Sequence, residues 1–171
     1  MTIKSTEFVW DLPTRVFHWL LVATFLVVQI SAEWSESLHE IFGYAVLCLM
    51  GFRVIYGILG PAESRLSRLI PTRRELRQSS QSFFQNQAHQ IAGHNPFGGI
   101  MVACLLATLI MGGVTGHLGR TDLFWGMEWI EELHEVLGEL SMMLVIFHIT
   151  AVIAMSLINR RNIVRRMLGK L

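Results

Sequence analysis

The sequence predicts an all-α protein built as a four-helix transmembrane bundle, and three observations carry this. Of its 171 residues, 52% are hydrophobic and 16% charged, with a mean hydropathy of +0.46. That is more apolar than a soluble domain of this size. The apolar residues gather into four runs, each near the roughly 20 residues a helix needs to cross a bilayer. Of fourteen lysines and arginines, all but Arg53 and Arg120 lie at the two ends or in the 61–95 connection. A spanning helix satisfies its own backbone groups, so the fold needs no strand.

The expected helices are about 14–32, 38–60, 96–118 and 132–158, in one domain covering 1–171. A polar leader ends in a turn-like Asp11-Leu12-Pro13 before the first run, Val16 to Ser31. Ser31-Ala32 has the small residues of a signal-peptide cleavage site, but His18 and the proline leader mark a retained helix. The second run, His39 to Leu59, carries Arg53 and is ended by Pro61. Residues 61–95 form the one long connection, with amphipathic pieces expected at the membrane surface. The third run, Phe97 to Leu118, holds Gly98, Gly99, Gly112, Gly113 and Gly116. Such small residues let a neighbouring helix or a flat cofactor approach. The fourth run is Leu133 to Ile158, followed by a basic amphipathic tail. Cys48 and Cys104 fall mid-run, outside any C-x-x-C pattern, and read as small buried apolar residues.

Charge sets the orientation. The 32–38 connection has no Lys or Arg, and the 119–132 connection sets Arg120 beside Asp122, Glu128, Glu131 and Glu132. By the positive-inside rule both termini and the long connection are cytoplasmic and the two acidic loops face outward. This is the pattern of a multi-pass membrane protein with both ends inside.

Orientation then sorts four histidines by depth. His134 and His148 lie fourteen residues apart on the fourth run, which on a helix is about 21 Å and within about 40° of whole turns. Both imidazoles therefore point to nearly the same side, one near each surface. His39, opening the second run, sits at the outer level with His134. His18, opening the first, sits at the inner level with His148. The outer pair shares a motif, Leu38-His39-Glu40-Ile41-Phe42-Gly43 and Leu133-His134-Glu135-Val136-Leu137-Gly138. In each copy a glycine lies one turn beyond the histidine on the same face, leaving room for a planar edge. Ionisable groups at such depth are functional candidates with partners to be found.

Two facing imidazoles at each of two levels suit the axial positions of haem iron. Zinc prefers three or four ligands. Filled axial positions leave electron transfer rather than oxygen chemistry. The fold is thus expected to hold two b haems, non-covalently, between its helices. A haem-free membrane anchor and a transporter using the histidines are the rival classes.

Other residues have two readings each. Arg53, fourteen residues after His39, either clamps a haem propionate or snorkels to the inner interface. Arg15, one turn before His18, is either a second clamp or a surface cation. His94 and Asn95, in Gly93-His94-Asn95-Pro96-Phe97-Gly98-Gly99, suit a quinone carbonyl or an ordinary helix start. His117 is a proton-relay candidate or faces water. The acids Glu128, Glu131 and Glu132 are solvated loop charge, or a docking face for a basic electron carrier.

The segments Trp10–Trp19, Leu38–Pro61, Gly93–Gly99 and Leu133–Val152 resemble the bacterial di-haem cytochrome b group, which includes cytochrome b561 and the cytochrome b subunits of nickel-iron hydrogenases. The resemblance spans all four helices. It implies His18, His39, His134 and His148 as axial ligands and membrane quinone as redox partner. It also implies an electron-transfer cytochrome with quinol:acceptor oxidoreductase activity, working with a periplasmic c-type cytochrome. The alternatives are an anchor subunit of a larger oxidoreductase such as a nickel-iron hydrogenase, and a superoxide:quinone oxidoreductase. The acidic outer loops rank that last reading third. The bilayer and quinone are the expected surroundings; nucleic acid is not an expected partner.

Overall fold

A computed structural model describes residues 10–84, 96–158 and 162–169 of the chain. Among these residues the regular elements are all helices: α1 (Leu12–Ser31), α2 (Glu36–Leu59), α3 (Arg73–Phe84), α4 (Pro96–Leu118), α5 (Glu128–Ile158) and α6 (Arg165–Leu168). Two 3-10 turns, Ala62–Ser64 and Leu66–Arg68, join α2 to α3. Helices α1, α2, α4 and α5 are each long and apolar enough to cross a membrane.

Local chemistry explains the helix ends. Helix α1 starts at Leu12 because Pro13 falls in its first two positions, where the missing N–H is no loss. Ser35 caps α2, its hydroxyl accepting from the Leu38 N–H at 3.4 Å, and Glu36 favours the positive end of the helix dipole. Gly60 leaves helical geometry ahead of Pro61. A capping box starts α3: Thr72 N and Oγ1 donate to Glu75 Oε2 at 2.7 and 2.8 Å, and Glu75 N donates to Thr72 Oγ1 at 3.3 Å. Helix α5 begins at Glu128, not near 132, so Glu128 and Glu131 occupy its first turn rather than a loop. Carboxylates are stabilising there. The α4–α5 connection turns at Gly126, whose φ of 72° lies in the left-handed region.

The short α1–α2 and α4–α5 connections make antiparallel neighbours. These two pairs pack most closely, and α2 against α4 joins them. Gly113 permits that approach: a Cβ there would lie 2.9 Å from Leu47 Cδ1. Helix α5 is not closely packed on either α1 or α2. The apolar centre is Phe17, Phe25, Val46, Met50 and Leu109, flanked by Leu21, Leu49, Leu106, Met142 and Val145.

Outside this centre the bundle is apolar too. In the 31 residues of α5 only Ile130, Leu137 and Ser141 are buried, while Val136, Met143, Phe147 and Leu157 are exposed. A soluble helix turns polar residues outward; this one offers hydrocarbon to hydrocarbon, as in a multi-pass membrane protein. Cys48 and Cys104 are unpaired and exposed rather than buried within the protein. Against lipid a weakly polar thiol needs no protein cover.

Candidate functional site

At one end of the bundle α2 and α5 bring His39 and His134 together. Their ring centroids are 5.9 Å apart and the planes stand 89° to each other. Each Nδ1 meets a main-chain carbonyl: His39 at Val28 O of α1, 3.0 Å, and His134 at Gly112 O of α4, 3.0 Å. A carbonyl only accepts, so Nδ1 carries the proton and Nε2 keeps its lone pair. Histidines that bind metals use this arrangement, in which the second nitrogen fixes ring and tautomer. His134 is also 3.2 Å from Thr115 Oγ1, and α4 closes on its ring at Gly116, where a Cβ would lie 2.9 Å from His134 Cε1. One turn inward, a Cβ on Gly43 or Gly138 would meet no atom within 4 Å. The repeated motif therefore sets a supported imidazole beside open room on both helices.

At the other end α1 and α5 carry His18 and His148, both half-buried and within electrostatic reach of each other. Among the described residues neither ring is held by a hydrogen bond. No group of three or more His, Cys, Asp or Glu that could hold a metal ion occurs among the described residues. Of the two sets, only His39 and His134 stand in ring contact among the described residues.

Arg53 lies at this same end of the bundle, only 6% exposed. Its Nη1 donates to Ser64 O at 2.9 Å, and Asp11 is the anion in its field. The Asp11 carboxylate accepts from Thr14 Oγ1 at 2.8 Å, from Ser64 Oγ at 2.6 Å and from the Tyr56 hydroxyl. Burial pushes the Asp11 carboxyl up, but the hydrogen bonds from Ser64, Tyr56 and Thr14 outweigh it and hold it below its ordinary range. Phe52 stacks on Tyr56 at 5.5 Å and packs against Phe17 at 6.1 Å. Arg53 is thus neither exposed at the interface nor without a counter-charge within the protein. Arg15 differs: its Nε is buried and has no hydrogen-bond partner among the described residues.

Residues 9–170 match the model of a protein family described as prokaryotic cytochrome b561. The chain belongs to the prokaryotic cytochrome b561 family. Comparison with curated proteins and with solved structures finds no match. Family and architecture together make this a membrane electron-transfer protein of the cytochrome b561 type, with the capacity to bind haem.

In this cytochrome b561 relative His117 is exposed and shares a 3.1 Å hydrogen bond with Tyr44, through Nδ1 and the hydroxyl. It faces a partner as well as the surroundings. His94 and Asn95 lie outside the described residues. Arg120 ties the α4–α5 connection to the start of α2, 2.8 Å from Glu36 and 3.5 Å from Glu40.

Two groups of residues escaped the reading of the sequence. One is Asp11, Tyr56 and Ser64 around Arg53; the signal was the buried arginine itself, which requires an anion. The other is Gln29, whose Nε2 donates from α1 to Gly138 O and Ser141 Oγ of α5 at 3.3 and 3.4 Å. A lone glutamine inside an apolar run was the available sign, since it must find a partner in the membrane.

Proposed function

We propose that the protein carries electrons across the bacterial inner membrane through two b haems, one held by His39 and His134, the other by His18 and His148. The observation that carries this reading is the outer pair. Both imidazoles have Nδ1 committed to a carbonyl, both leave Nε2 as the free ligand atom, and both stand beside a cleared glycine. Two imidazoles on one metal, at about 2 Å per bond, have ring centroids roughly 6 Å apart; the separation of 5.9 Å agrees. Helix α5 packs closely on α4 and approaches α1 and α2, which carry the other histidines, less closely. When bound, the haems would supply reversible one-electron chemistry, with these histidines as the residues that would hold them.

The chain's own residues supply the rest. His134 and His148 place the two ligand levels about 21 Å apart along one helix. Val28, Gly112 and Thr115 orient the outer imidazoles, and the apolar helices exclude water. Arg15 is the inner cation that best suits a haem propionate, because Arg53 is engaged by Ser64 and Asp11. Membrane quinone is the partner on the cytoplasmic side, with His94 and Asn95 before α4 as its polar contacts. A basic c-type cytochrome is the partner outside, drawn by Glu128, Glu131 and Glu132 at the start of α5. Both termini are cytoplasmic, following the basic residues.

A reduced-minus-oxidised spectrum of the purified protein tests the reading. Two overlapping b-type contributions are expected. A spectrum without b-type bands would leave the haem-free anchor as the better account.

A further inference from the structure

Two arginines mark the inner end of the bundle, and they are treated differently. Arg53 donates to a carbonyl and has the Asp11 carboxylate in its field. Arg15 Nε is the one fully buried side-chain nitrogen or oxygen among the described residues that lacks a hydrogen-bond partner. A buried donor left unbonded costs about 1–3 kcal/mol, and more when charged.

The C-terminal segment covers that guanidinium. Helix α6 lies against α1. Trp19 Nε1, one turn beyond Arg15, donates to Met167 O at 3.2 Å. Gly169 is buried with a φ of 88°, and a Cβ there would collide with the Arg15 guanidinium. Its N–H donates to Arg165 O at 3.1 Å, which closes α6. By sequence the segment adds Arg165 and Arg166 to the same end of the molecule.

We infer that Arg15, Trp19 and residues 164–169 enclose an anion site at the inner end of α1. Arg15 binds a carboxylate or phosphate there, and the C-terminal segment is its cover. A guanidinium offers paired donors that match either group. Two sources present this chemistry at that depth. One is a propionate of the inner haem, three residues from His18, and this source rests on the haem reading above. The other is the phosphate of an anionic phospholipid, which does not.

The test uses the full-length protein in mild detergent with Arg15→Gln, Gly169→Ala and Trp19→Phe variants. It measures the two haem midpoint potentials and the phospholipid retained in native mass spectra. With a propionate in the site, Arg15→Gln lowers one of the two potentials and leaves the other, because a positive charge favours the reduced form. Gly169→Ala, which drives a methyl into the guanidinium, shifts the same potential. With a phospholipid in the site, both potentials stay and a lipid retained by the wild type is lost in the two variants. Unchanged potentials together with unchanged lipid in Arg15→Gln would overturn the site. A response to Arg15→Gln with none to Gly169→Ala would overturn the cover. If both variants fail to fold, exposed Trp19 carries the test: phenylalanine removes the donor to Met167 and keeps an aromatic ring beside His18. The same potential or the same lipid is then expected to respond, and no response in either would overturn the cover. A wild-type protein without haem would end the haem reading while leaving the lipid outcome measurable.

Discussion

Replacing Asp11 by alanine removes the counter-charge of a guanidinium that is only 6% exposed. It also removes the acceptor for the hydroxyls of Thr14, Ser64 and Tyr56. Asp11 and Arg53 are coupled through space and through Ser64 rather than by direct contact, and each hydrogen bond to a charged group contributes about 1.5–3 kcal/mol. Asp11 is itself half-exposed, and Thr14 and Ser64 can still share their 3.2 Å contact, so about 3 kcal/mol is the expected loss. For a protein of 150–250 residues each kcal/mol moves Tm by roughly 2–4 °C, which gives a fall of about 6–12 °C. The assay is thermal unfolding in detergent, followed by far-ultraviolet circular dichroism. A second variant, Asp11→Ala with Arg53→Met, removes the stranded charge and should recover the part of the loss that the hydroxyls do not account for. A fall below about 2 °C in Asp11→Ala, or a double variant less stable than the single one, would refute the account of Arg53 as a charge compensated within the protein.

Other outcomes follow from the same geometry. The Asp11 carboxyl is held below its ordinary value of 3.8. Its contribution is therefore present above that value and lost as pH falls through the lower folded value. The stability difference between wild type and Asp11→Asn should shrink as pH drops below 3.8; a difference constant down to acid unfolding would be evidence against it. Gly43→Ala and Gly138→Ala place methyls where no protein atom lies within 4 Å. Helix propensity alone would make each about 0.8–1 kcal/mol more stable. The haem reading expects instead a loss of about one haem per chain, measured by pyridine haemochrome, and full haem content with raised stability would remove the cradle. Electron transfer to a basic c-type cytochrome should slow severalfold as salt rises from low to physiological strength; a rate indifferent to salt would exclude docking on the outer acids.

What was legible in the sequence was periodic or repeated. The four spans follow from apolar runs separated by charge. The pairing of His39 with His134 follows from depth and from the two copies of the Leu-His-Glu motif, and these rings are neighbours in the structure. Contacts between distant segments were not legible. The Asp11–Arg53–Ser64 group joins a helix start, a helix interior and a 3-10 turn, and no local pattern links those positions. The first turns of α1, α2 and α5 extend beyond the expected bounds because Pro13, Ser35 and Glu128 act at helix ends, where charge and proline resemble loop. The same ambiguity hid the place of the tail. Residues 164–169 read only as part of a basic amphipathic tail, and nothing local showed that Gly169 packs on Arg15.

Two haems on four histidines is the central claim, and the haem-to-protein ratio tests it most directly. The ratio should be two for the wild type and one for both His134→Ala and His148→Ala, with different absorption maxima remaining, because each variant empties a different level. A wild-type ratio of zero, or a ratio of two retained in both variants, would contradict it.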